Sequence, residues 1–144
     1  MISNAFANDL LKLVFNATPI ANLADNAASS PLTNLYMALH TADPGPGGNQ
    51  STNEVNYIGY ARLPLARGVG GFTVTANAVS PTSTVEFGEM TAGANQSATH
   101  LTVGKATSGG GQVLFRLTIT PAIDLKQNVT PRLRSTTTLT AVTS

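Results

Sequence analysis

The chain has no cysteine among its 144 residues, so neither a disulfide framework nor a thiolate metal site can hold it together. Its stability must come from packing or assembly. Tryptophan is also missing and aromatic residues make up only 6%, which leaves few rings to line an exposed groove. Charged residues amount to 10% of the chain, against roughly 25% in ordinary soluble proteins. Thr, Ser, Asn and Gln fill the polar positions instead, giving a surface with little electrostatic solubility that suits contact with other protein. The formal net charge is +1 with the basic residues scattered, which excludes a dedicated nucleic-acid binder, since phosphate neutralisation needs clustered Lys and Arg. The near-cluster Arg132 and Arg134 reads as a solvated or interface-lining pair. No stretch approaches the roughly 18 apolar residues of a membrane span. Asp9 and Lys12 interrupt the apolar N-terminal stretch and no positive segment precedes it, so a signal peptide is not expected and assembly in the cytoplasm is.

The length fits one domain. Ile2, Phe6, Leu10, Leu13 and Val14 recur at helical spacing, Ser3 can cap and Pro19 stops continuation, which predicts an amphipathic helix over about residues 4–16. Asn4, Asn8, Asp9 and Lys12 form its polar face, so the stripe must rest on its own body or on a neighbouring subunit. Residues 17–31 are small and polar and read as an arm, so the expected division is a helix and arm over 1–31 and a β domain over 32–144.

From residue 35 the period becomes two. Leu35, Met37 and Leu39 alternate with Tyr36, Ala38 and His40; Phe72, Val74 and Ala76 alternate with threonines; Val85 and Phe87 alternate with Thr84, Glu86 and Gly88. Further strands are expected near Ala61–Leu65, Thr99–Lys105, Val113–Thr120, Asn128–Leu133 and Thr136–Val142, separated by turn clusters such as Gly68-Val69-Gly70-Gly71 and Gly109-Gly110-Gly111. This is the pattern of a mainly β chain, a β-sandwich of jelly-roll type with an N-terminal helix and arm. Pro64 marks its strand as an edge or a bulge, because proline cannot donate to a central ladder.

Candidate chemistry is sparse. His40, Asp43 and Glu54 carry lone pairs, but their spacing fits no metal-ligand pattern, and Asp43-Pro44-Gly45 is an ordinary turn sequence. His100 stands alone, and neither histidine lies near a Gly-x-Ser-x-Gly elbow, so an enzyme is not expected, nor is a cofactor. The glycine run at 109–111 has no Lys-Ser or Lys-Thr after it and reads as a flexible hairpin turn rather than a phosphate cradle. The segment Thr41–Tyr57 is longer than ordinary connections and is expected to be an ordered contact loop. Near its end Tyr57, Tyr60 and Arg62 are residue types favoured at protein contacts. With the helix stripe Ile2, Phe6, Leu10 and Val14, they form the candidate partner-binding set.

Several segments together carry a resemblance: Leu35-Tyr36-Met37-Ala38-Leu39-His40-Thr41-Ala42-Asp43-Pro44-Gly45, Asn53-Glu54-Val55, Gly59-Tyr60-Ala61-Arg62, Thr99-His100-Leu101-Thr102-Val103-Gly104, the turn Ser108-Gly109-Gly110-Gly111, Val113-Leu114-Phe115 and Val129-Thr130-Pro131. Over about residues 35–144 the chain resembles small bacteriophage virion proteins, often labelled tail fibre in genomes and in some phages found as head cement or decoration proteins. It departs from that family at Gly45-Pro46-Gly47-Gly48 and Arg116-Leu117. The resemblance implies a structural protein on the capsid surface, a homotrimer that binds the major capsid protein and stabilises the assembled shell by mass action. The alternative it implies is a tail-fibre or adaptor subunit involved in host attachment. Scarce aromatics, and the lack of repeats or heptads, favour the head on sequence grounds.

Overall fold

The structure is a computed structural model that describes residues 4–20 and 32–140, with the side chains of residues 4–6 and 139–140 left aside. It is mainly β, with antiparallel sheets and one N-terminal helix. The elements are α1 (Asn4–Asn16), β1 (Asn34–His40), β2 (Leu63–Ala66), β3 (Phe72–Thr75), β4 (Ala78–Pro81), β5 (Val85–Glu86), β6 (Gln96–Gly104), β7 (Val113–Leu125), β8 (Arg132–Leu133) and β9 (Leu139–Thr140). The helix has the bounds its periodicity predicts. β4 was not foreseen, because Ala-Val-Ser-Pro shows no alternation and ends in a proline. The expected arm over 17–31 falls largely outside the described residues, as does the end of the strand expected over 136–142. No described helix is long and apolar enough to cross a membrane.

The chain divides into two compact units. The first comprises residues 1–34, 65–84 and 134–144. In it α1 buries Ala7, Leu11 and Phe15, three positions one turn apart. Phe15 meets Phe72 of β3 edge to face, ring centres 4.8 Å apart. β3 pairs with β4 in register Phe72↔Pro81 to Thr75↔Ala78, and β9 adds to β4. The helix ends where Ala17 takes a left-handed conformation, φ 54°. Arg67 closes its open carbonyls, Nε donating to Val14 O and Nη2 to Leu13 O, each at 2.6 Å. A cation there also favours the negative end of the helix dipole.

The second unit comprises residues 35–64 and 85–133. β1 and β6 pair antiparallel from Tyr36↔Gly104 to His40↔His100, so Leu39↔Leu101 and Met37↔Val103 stack on one buried face. His40, Thr102 and Ala38 share the other face. The sheet order is β2-β1-β6-β7, which makes Pro64 an edge residue, as its chemistry requires. β7 runs beyond the expected Thr120 to Leu125, and a bulge sets residues 119–122 opposite Thr99 alone. β5 and β8 form a separate pair, Val85↔Leu133 and Glu86↔Arg132.

Candidate functional site

The long segment after β1 is the distinctive feature of the second unit, and its geometry follows from a few polar side chains. It turns at Asp43, whose Oδ1 accepts from Gly45 N at 2.9 Å, the turn role expected for Asp-Pro-Gly. That bond and the Arg116 guanidinium beside it hold the Asp43 carboxyl below the usual carboxylate range. The segment then returns along β1: Thr41 N donates to Asn53 O at 2.8 Å and Val55 N to Leu39 O at 3.0 Å.

Gln50 is fully buried and plugs the segment into the turn that joins β6 to β7. Its Nε2 donates to Tyr36 O at 3.3 Å, its Oε1 accepts from Ala106 N at 3.0 Å, and its own N donates to Gly111 O at 2.8 Å. A Cβ on Gly104 would stand 2.1 Å from Gln50 Cδ, and one on Gly111 2.3 Å from Ala106 Cβ and 2.5 Å from Gln50 Oε1, so a side chain at either position would force this buried amide to shift. Within the glycine run the carbonyls of Gly111 and Gly109 accept from Gln50 N and Arg62.

Arg62 and Glu54 form the second clamp. The guanidinium is bidentate on the carboxylate, Nε to Oε1 at 2.6 Å and Nη2 to Oε2 at 2.7 Å, and also donates to Ala106 O at 3.1 Å and Gly109 O at 2.7 Å. The carboxylate holds Arg62 more firmly in its charged form. Tyr60 Oη donates to Glu54 Oε1 at 2.9 Å and accepts from Leu39 N at 3.1 Å. Burial, then the Glu54 charge, raises the Tyr60 phenol well above its ordinary value. Tyr57 Oη donates to Gly88 O at 2.8 Å, and burial pushes its phenol up to about 12.

His40 lies beneath this segment with no exposed surface. Nδ1 faces Thr52 O at 2.9 Å, an atom that can only accept, so Nδ1 carries the proton. Nε2 of the neutral ring then accepts from Thr102 Oγ1 at 2.8 Å. Both nitrogens are thus occupied by hydrogen bonds within the protein. Among the described residues no group of three His, Cys, Asp or Glu side chains could hold a metal. His100 is half-buried beside Thr99 Oγ1 at 2.9 Å, and with Asp43 and Arg116 it lines an open hollow of about 250 Å³. The Arg132–Glu86 ion pair, at 2.9 Å, is exposed.

Of the sequence-derived contact residues, Tyr57, Tyr60 and Arg62 come together, but as internal braces. Tyr57 is 3% and Arg62 7% exposed, because their polar atoms are spent on Gly88, Glu54 and the β6–β7 turn. Ile58 between them is 63% exposed and is the large apolar side chain that this stretch presents. The helix residues belong to the first unit. Ile2 lies outside the described residues, as does the Phe6 side chain; Leu10 is 37% exposed and Val14 half-buried. Gln50, Thr52 and Thr102 escaped the sequence reading, and the glycines at 104 and 111 were the available signal for Gln50.

The family described as Podophage GP4 fiber I protein gp80 matches residues 1–140 of the chain. No match was found among curated proteins.

Proposed function

The chain belongs to the Podophage GP4 fiber I protein gp80 family and is thus a phage structural protein and virion component, and on that basis we propose that it is a tail-fibre or tail-adaptor subunit taking part in host attachment. The observation that carries the reading is the family match across both compact units. The clamped segment after β1 supports it, because a recognition loop held by one buried ion pair and a buried amide loses little entropy on meeting a partner. Low charge supports close contact with other virion subunits, and self-association as a homotrimer is part of the proposal. The head-cement alternative rests on scarce aromatics and the absence of repeats, features of composition that a fibre subunit can share.

The test is immunogold labelling of intact virions with an antibody raised against the full chain. Gold confined to the tail is the expected outcome. Gold distributed over the head would overturn the fibre reading in favour of a decoration role, with the major capsid protein as partner.

A further inference from the structure

We propose that the segment Thr41–Glu54 is an acid-released latch, opened from the sheet beneath it when His40 takes up a proton. The proposal stands apart from the fibre reading.

The ring of His40 is sealed between the segment and the sheet, and its hold on the segment is the bond from Nδ1 to Thr52 O at 2.9 Å. The backbone bonds Thr41 N to Asn53 O and Val55 N to Leu39 O flank that point. A second proton on Nε2 would force Thr102 Oγ1 to accept instead of donate, stranding a hydroxyl proton at a fully buried residue.

Three charged or titratable groups face the ring. The Thr52 carbonyl and then Glu54, both from the segment itself, favour an imidazolium, while Arg62, just ahead of β2, and His100 of β6 oppose it. Glu54 is at the same time shared by Arg62 and Tyr60. Burial is the largest effect and lowers the affinity of the closed site for the proton. β1 and β6 are locked in a five-pair ladder, so the segment is the part that can lift to hydrate the ring.

The sign follows from linkage. Closed, His40 resists protonation; open, it titrates near the ordinary value of about 6.5. The stabilisation of the closed form is complete above that value and is lost as pH falls below it towards the lowered closed-state value. Between pH 7.5 and 5.5 the open fraction should rise, by about tenfold at most, the limit reached when the closed ring stays neutral throughout.

Amide hydrogen exchange of the full chain, corrected for intrinsic rates and followed in low urea, tests this. The amides of Thr41 and Val55 should be less protected than Leu101 in β6, should depend less on urea, and should lose protection over that interval, by about tenfold at most. His40→Gln should abolish the pH response, and His100→Gln should keep it. Loop amides that open only with Leu101, that ignore pH, or that respond equally in His40→Gln would overturn the latch. An NMR titration of the wild-type ring decides independently of whether the variant folds: a folded-state transition at or above the ordinary histidine value would also overturn it.

Discussion

At the scale of single residues, the second unit depends on side chains whose importance composition hides. Gln50 sits in Asn49-Gln50-Ser51, a stretch that reads as loop, yet it satisfies Tyr36 O and Ala106 N inside the protein. Gly104→Ala should cost roughly 1–3 kcal/mol by overpacking this amide. Gln50→Ala should cost about 1–3 kcal/mol by leaving its backbone partners unpaired. Because each change disturbs the same spot, the double variant should lose clearly less than the sum, a coupling that urea-denaturation midpoints can read. Additive losses would show that Gln50 is not what a side chain at 104 meets. The turn chemistry of Asp43 was legible, since Asp-Pro-Gly acts on its own backbone. The partners of Tyr57 and Arg62 were not, since residue type reports what a side chain can bond and not whether the fold leaves it outside.

At the scale of elements, helical periodicity located α1 but not the face it buries. The apolar positions run nearly around the helix: the sequence stripe is Ile2, Phe6, Leu10, Leu13 and Val14, of which Leu10 is exposed and Leu13 and Val14 are half-buried, whereas the fully buried row among the described side chains is Ala7, Leu11 and Phe15. Adjacent positions differ by about 100°, so both rows look plausible in one dimension. Leu11→Ala should therefore cost roughly 2–5 kcal/mol. Leu10→Lys should stay within about 0.5 kcal/mol of wild type while weakening any assembly that uses the outer helix face. Thermal unfolding paired with a sedimentation assay separates the two effects, and a large stability loss in Leu10→Lys would contradict the assigned face. The helix terminus carries the same lesson, because Arg67 caps Val14 O from 53 positions away. For strands the pattern was more informative. Alternation marked β1, β3 and β6, and Pro64 announced an edge, because each of these signals is local.

At the scale of the whole molecule, the chain order does not follow the compact units. The helix shares its unit with residues 65–84 and 134–144, and residues 35–64 and 85–133 make up the other. Deleting residues 1–20 should expose Phe72 and Val79, and hydrogen exchange should show β3 and β4 losing protection while the β1–β6 ladder keeps its own. Unchanged protection in β3 and β4 would show that the helix is dispensable to its unit. What the sequence by itself determined is the mainly β class, the place of the helix, most strands, the Asp43 turn and the kinship with phage virion proteins, because period, turn chemistry and motif are properties of neighbouring residues. The tertiary structure alone decided which helix row is buried, that Arg62 serves Glu54 and the β6–β7 turn, that Arg67 caps a helix, and that Gln50 and His40 fasten the long segment. Those are contacts between groups far apart along the chain, and their geometry exists only once the backbone has brought them together.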